Sequence, residues 1–270
     1  MKATVVVDNI EDNGICGEWG LCIDIEYEGK HILLDTGASD LFVENAKKLG
    51  ISLETADMAV LSHAHYDHGN GMEEFFRVNQ NAKFFIQESC MENCYSRKKL
   101  FPKYIGLPKG VLHQYKDRLV RVSGAYKLMD GVSIIGHTTS GLHKVGKMER
   151  MYQRKGPIFR FDDFSHEQSL VFETEKGLVI FNSCSHAGVY TIVEEIKRAY
   201  PGQKIYAYIG GFHLYNKTPD YVRDFAKKVK ATDISYICTG HCTGVESYEV
   251  LKEELGDVIH QLKVGLVMEF

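Results

Sequence analysis

A disulfide framework is missing from this sequence: its 7 cysteines are odd in number and scattered between Cys16 and Cys242. In a chain of 270 residues that pattern points to reduced thiols and a cytoplasmic compartment. Long apolar runs are missing too. None approaches the roughly 20 residues that cross a bilayer, and the start, Met-Lys-Ala-Thr-Val-Val-Val-Asp, turns polar too soon for a signal peptide. No membrane partner is expected. Charge of one sign is also lacking: 32 Lys and Arg against 36 Asp and Glu leave −4, which excludes a global pull toward nucleic acid. No linker, composition break or repeat divides the chain, so residues 1–270 read as a single domain. A Gly-x-Ser-x-Gly nucleophile elbow is absent as well.

What is present alternates between strand and helix patterns. Apolar or alternating runs at 3–7, 21–27, 31–34, Met58–Leu61 and Lys83–Ile86 read as strands, with helical spacing at 39–49 and 70–78. The last hundred residues repeat the theme. Strands are expected at Ser169–Thr174, Gly177–Phe181, Lys204–Ile209 and Ile234–Cys238, and helices at Thr191–Tyr200, Asp220–Lys230 and Ser247–Leu255. The class is α/β, or α+β. Between them, residues at about 88–165 form a less regular, basic stretch that reads as an insert or lid. It carries Arg97, Lys98 and Lys99, candidate contacts for an anionic substrate.

The 12 histidines are unevenly placed. Residues 63–68 read His-Ala-His-Tyr-Asp-His, directly after a buried-looking strand. In an extended stretch His63 and His65 project to the same side and can chelate one ion. Asp67 and His68 can hold a second, and nitrogen with carboxylate ligation suits Zn first, with Fe or Mn also fitting. His186 and His241, each in a small-residue turn after a strand, are the best further ligands. His213 in Gly-Gly-Phe-His-Leu is open between ligand, substrate hydrogen-bond donor and packed side chain, and His166 is a reserve ligand. Asp35, closing a strand in Leu-Leu-Asp-Thr-Gly, reads as a carboxylate that orients the histidine loop, or else as a turn cap. Cys184, two residues before His186, reads as a small buried thiol, with a metal-binding thiolate as the alternative. A metal pair would generate hydroxide from water near neutral pH, with Asp67 helping to orient it.

Leu33-Leu34-Asp35-Thr36-Gly37 and Ser62-His-Ala-His-Tyr-Asp-His-Gly69 resemble the first two motifs of the metallo-β-lactamase fold superfamily. Val7-Asp8-Asn9, Glu18-Trp-Gly-Leu, Asn182-Ser-Cys-Ser-His-Ala-Gly188, Ile209-Gly-Gly-Phe-His-Leu214 and Thr239-Gly-His-Cys-Thr-Gly244 are similar to its dihydropterin ribofuranosylaminobenzene phosphate synthase-like branch. The resemblance spans almost the whole chain. It implies a four-layer αββα sandwich with a dinuclear site at one edge of the two sheets. Two positions depart from the branch: Trp19 replaces a histidine, and Gly136-His-Thr-Thr-Ser-Gly-Leu142 replaces a Gly-Glu-Ile-Pro-Arg-like segment. Gly136-His137-Thr138 also resembles the third-ligand motif of other branches.

The leading expectation is a dinuclear metal-dependent hydrolase acting on a small phosphorylated or otherwise anionic molecule. Homo-oligomerisation is compatible with such a chain. A phosphodiesterase or nuclease of the same fold is the first alternative, ranked lower by the negative net charge and few prolines. A non-catalytic metal-bound sensor is the second.

Overall fold

The computed structural model describes residues 1–97 and 100–270. The chain opens with β1 (Lys2–Val7), β2 (Cys22–Tyr27), β3 (Lys30–Leu34), α1 (Leu41–Leu49), β4 (Met58–Val60), α2 (Tyr66–Gly69), α3 (Met72–Val78) and β5 (Lys83–Gln87). The middle adds β6 (Cys94–Ser96), β7 (Lys103–Tyr104), α4 (Val111–Gln114), β8 (Leu119–Val122), β9 (Ala125–Met129), β10 (Val132–Gly136), α5 (His143–Glu149), β11 (Met151–Lys155) and β12 (Ile158–Phe161). It closes with β13 (Gln168–Thr174), β14 (Gly177–Phe181), α6 (Val189–Ala199), β15 (Ile205–Ile209), α7 (Pro219–Lys230), β16 (Tyr236–Thr239), α8 (Val245–Leu255), β17 (Ile259–Gln261) and β18 (Val267–Glu269).

Two seven-stranded sheets carry the fold, in the orders β18-β1-β2-β3-β4-β5-β8 and β17-β16-β15-β14-β13-β10-β9. Side-chain alternation explains how they stack. In β13, Leu170 and Phe172 join Ile23, Ile25 and Ile32 of the other sheet in a core between the two, while Val171 faces the opposite way. In β14, Val179 and Phe181 point inward, and Leu178 and Ile180 pack under α6, α7 and α8 with Ile192, Val222 and Leu251. On the far side Leu33, Ala59 and Phe84 pack beneath α1 and α3 with Phe42 and Phe75. Burial on both faces is why these strands are continuous apolar runs rather than alternating ones. The result is the four-layer αββα sandwich.

Strands β3, β4, β5 and β8 run parallel, as do β14, β15, β16 and β17. Parallel neighbours need helical crossovers, so their C-terminal ends collect at one edge. The turns after β3, β4, β14, β15 and β16 carry Asp35, the 63–68 loop, His186, His213 and His241.

The stretch at 88–165 is divided between three sheets. β8 joins the first sheet and β9 and β10 the second, placing Val122, Val132 and Ile134 in the central core. β6, β7, β11 and β12 form a separate four-stranded sheet, ordered β12-β11-β6-β7. It is held to the histidine loop through Tyr66 N donating to Ile105 O at 2.9 Å.

Phe172 is fully buried between the sheets, 5.3 Å from the Tyr27 ring and 5.6 Å from that of Phe181. Phe172→Ala is expected to cost about 3–5 kcal/mol in denaturant unfolding, with metal content per folded chain unchanged.

Candidate metal centre

The loop after β4 delivers its side chains into the interior: His63 and His68 have no exposed surface, and His65 and Asp67 have 4% and 8%. Among the described residues two groups of donor atoms, each within 4.8 Å, take only histidine and aspartate, His63, His65 and His186 in one and Asp67, His68 and His241 in the other, while Cys184 forms further groups with His63 and His68 and with His241 and Cys242. The His63 and His68 rings, 4.1 Å apart, join the first two.

Hydrogen bonds set the tautomers. Ser62 Oγ donates to Asp35 Oδ2 at 2.7 Å, so the 2.8 Å contact from His63 Nδ1 to Ser62 Oγ is a donation by the ring. His68 Nδ1 donates to Asp35 Oδ2 at 2.8 Å, and His241 Nδ1 to Asn9 Oδ1 at 3.1 Å. In the His63 and His241 rings Nε2 is left with its lone pair facing the site, while His68 Nε2 meets Cys184 Sγ at 3.2 Å. Nε2 of His63, His65 and His241 and both ring nitrogens of His186 are buried without a hydrogen-bond partner. An unmet buried polar atom costs about 1–3 kcal/mol, so this set of orphaned nitrogens fits metal ions that would satisfy them together. Burial, helped by the neighbouring imidazoles, holds His63, His65, His186 and His241 well below the ordinary histidine pKa, keeping them neutral donors. His68 differs: burial pushes its pKa down, but Asp35 and Asp67 outweigh this and pull it up.

The surrounding backbone is strained where it serves the site. Asp35, Ser185, His213 and His241 adopt φ of 61°, 52°, 51° and 46°, a region non-glycine residues avoid. Asp35 orients the loop, as its sequence position suggested. The roles of Trp19 and Glu167 escaped the sequence reading, and Cys184, read there as a buried thiol, turns toward the site. Trp19 donates from Nε1 to Asp67 Oδ2 at 2.9 Å. Glu167 accepts from the amides of His186 and Ala187 at 2.7 and 2.8 Å. Cys184 brings Sγ to 3.2 Å from His68 Nε2. Of these, the branch departure at Trp19 was a signal that could have flagged that residue.

His137 and His166 have no nitrogen to spare. His137 Nδ1 lies 2.6 Å from Glu195 Oε2, and its Nε2 lies 3.1 Å from both Ser169 Oγ and Asn182 Nδ2. Ala64 N donates to His166 Nδ1 at 3.2 Å, leaving Nε2–H to donate to Asp162 Oδ2 at 3.2 Å. This holds even though Cys94, Asp162, His166 and His65 bring donor atoms within 4.8 Å of one another.

Both triads open onto a cavity of about 520 Å³, lined by His65, Asp67, Cys184, His186 and His213 on the metal side. Trp19, Tyr66, Phe101 and Tyr215 supply aromatic walls, and Lys103 a cation. His213 Nε2 lies 3.7 Å from Glu149 Oε2, its ring 4.5 Å from that of His186. Arg97 is exposed, binds Arg150 O through its backbone, and is not part of the lining. Lys98 and Lys99 lie outside the described residues.

The family model described as the metallo-beta-lactamase superfamily matches residues 20–181. The chain belongs to that superfamily. It is 27% identical, over 92% of its length and 88% of the relative's, to the 7,8-dihydropterin-6-methyl-4-(beta-D-ribofuranosyl)-aminobenzene-5'-phosphate synthase of Methanocaldococcus jannaschii. Among solved structures it is similar to a metal-dependent hydrolase of the beta-lactamase superfamily, with TM-score 0.80, 24% identity, and coverage of 100% of this chain and 99% of that one. A diphosphatase from the PhnP family follows the same fold, with TM-score 0.57, 16% identity, and coverage of 100% and 97%. Superfamily membership supports a metal-dependent enzyme, and no helix among the described residues is long and apolar enough to cross a membrane.

The His137–Glu195 pair yields a test of its structural role. Burial pushes the Glu195 carboxyl up, but hydrogen bonds from His137 and Thr139 outweigh it and hold its pKa at about 2. Its folded pKa lies below the ordinary 4.5, so the stabilisation is full above 4.5 and is lost as pH falls through about 2. Solvent screens part of the pair, so Glu195→Gln is expected to lower stability by about 1–2 kcal/mol at pH 7, the gap closing in acid. Denaturant unfolding against pH checks this, and metal content should stay at the parent level.

Proposed function

We propose that this protein is a metal-dependent hydrolase-type enzyme that holds two divalent ions and acts on a small anionic compound with an aromatic part. The carrying observation is the pair of buried triads, His63, His65 and His186 beside Asp67, His68 and His241: four of their imidazoles hold unpartnered nitrogens, and His65, Asp67 and His186 line the cavity. The donor set is nitrogen-rich with one carboxylate per pair, which suits zinc, with iron or manganese as alternatives. Bound ions would polarise a carbonyl or phosphoryl oxygen and bring the pKa of a bound water toward neutrality.

The chain's own groups do the rest. Trp19 fixes the Asp67 carboxylate through Oδ2, 3.6 Å from His241 Nε2, where it can orient an attacking water. His213 stands beside His186 with Glu149 behind it, in position to hydrogen-bond the substrate and pass a proton. The aromatic walls match a planar ring and Lys103 a phosphate or carboxylate. The Methanocaldococcus relative, by its name, makes an aminobenzene phosphate compound, which supports this substrate class without identifying the substrate.

Elemental analysis of metal-replete protein is expected to give two divalent ions per chain. His63→Ala and His241→Ala should each lose metal and at least about 100-fold in kcat/KM on an activated phosphoester, lactone or thioester. Fewer than one ion per chain, with no turnover on any of the three, would overturn the reading. Turnover of bis-p-nitrophenyl phosphate alone would redirect it to a phosphodiesterase. Lys103→Glu is expected to raise KM for an anionic substrate about tenfold, the effect of roughly 1.4 kcal/mol, and to spare a neutral ester. Equal KM changes on both would remove Lys103 from anion binding.

A further inference from the structure

One short segment contributes no ligand to either triad yet touches both turns that carry the first. Residues 162–168, Asp-Asp-Phe-Ser-His-Glu-Gln, lead from β12 into β13, and Asp162, Phe164, His166, Glu167 and Gln168 are each at most 1% exposed. On the 63–68 side, His166 Nδ1 accepts from the amide of Ala64, the residue between His63 and His65, at 3.2 Å. Gln168 donates from its backbone to Ser62 O at 2.8 Å and from Nε2 to Leu61 O at 2.6 Å. On the other side, both Glu167 oxygens accept from the His186 and Ala187 amides, and the Phe164 ring stacks on His186 at 5.0 Å and 6°. His186 has no hydrogen bond of its own through either ring nitrogen. Its direction therefore rests on the backbone that Glu167 holds and on the ring beneath it. Asp162 ties the segment outward, accepting from Gln153 Nε2 of β11 and from His166 Nε2 at 2.8 and 3.2 Å.

We propose that residues 162–168 form a positioning strap for the first metal triad. Glu167 aims His186, and His166 fixes the spacing of His63 and His65. This rests on the reading of His63, His65 and His186 as one ion's ligands. The strap spans the gap between the two sheets: the 63–68 loop hangs from β4 of one and the His186 turn from β14 of the other. Asp35 joins the two turns at their base through Ser62 and Ser183, and the strap joins them at the Ala64 and His186 amides beside the ligands themselves. Through Asp162 and Gln153, the same strap joins the triad to the small sheet whose Met151 lines the cavity.

Glu167→Gln replaces an acceptor by an NH₂ group facing two backbone amides, and His166→Phe keeps bulk while removing the acceptor for Ala64. Metal-free parent and variants would be titrated with cobalt(II), following the visible ligand-field bands, with far-ultraviolet circular dichroism as the fold control. The parent is expected to take up two equivalents. The variants should keep one tight equivalent and bind the other about 10- to 100-fold more weakly, with an altered ligand-field spectrum for that equivalent alone. If Glu167→Gln does not fold, His166→Phe carries the same expectation. Two tight equivalents with the parent spectrum in a folded variant would overturn the proposal. So would equal weakening of both equivalents in step with lost thermal stability, which marks a merely structural role. A parent that binds fewer than two equivalents overturns the two-ion reading, and the strap's role with it.

Discussion

Four hydrogen bonds converge on the buried carboxylate of Asp35, from Ser62 N, Ser62 Oγ, His68 Nδ1 and Ser183 Oγ at 2.7, 2.7, 2.8 and 2.6 Å. Much of the site depends on that convergence. Asp35 ends β3, Ser62 precedes the first histidine, and Ser183 belongs to the turn after β14 on the opposite sheet. A carboxylate can accept all four because it has about four lone-pair directions and no proton to place. The demand is enough to hold Asp35 in left-handed backbone at φ 61°. Through Ser62 the same carboxylate dictates the His63 tautomer, and directly that of His68. One acceptor thereby turns two imidazoles so that Nε2 faces the same interior.

The electrostatic consequence is that four of the six donors, His63, His65, His186 and His241, are neutral imidazoles with unpaired nitrogens. Imidazoles crowded in a dry interior resist protonation, since each would place a charge beside another. Their unmet nitrogens are a cost to the folded chain that divalent ions would offset, coupling metal binding to stability. At two further buried histidines the fold closes off both ring nitrogens. His137, between Glu195 on one side and Ser169 and Asn182 on the other, and His166, between Ala64 and Asp162, show this. The difference between a ligand and a structural histidine here lies in what Nδ1 and Nε2 meet.

That difference explains how much could be read from the chain. The layers were readable because β13, β14 and β15 are long apolar runs and the helices between them are amphipathic. The 63–68 loop, His186 and His241 were readable because ligand-type residues sit among small ones just after strands. Gly136-His137-Thr138 was suggestive too, though less so than the His186 turn, and Glu195, Ser169 and Asn182, all distant in sequence, decide its role. The middle stretch hid its structure because β6 and β7 hold 3 and 2 residues, too few to show a period. Its basic residues advertised anion binding, but composition does not say which one faces the cavity; the small sheet places Lys103 there and Arg97 outside. Trp19 acts through one hydrogen bond to Asp67, 48 residues on, and Glu167 through two to the His186 and Ala187 amides, 19 and 20 residues on, which no local pattern encodes.

The central claim is that two ions sit side by side, one on each triad. Anomalous diffraction from crystals grown with zinc, recorded on both sides of the zinc edge, tests it most directly. Two peaks are expected, one against His63, His65 and His186 and one against Asp67, His68 and His241. A single peak, or a peak held instead by Cys94, Asp162 and His166, would contradict the account.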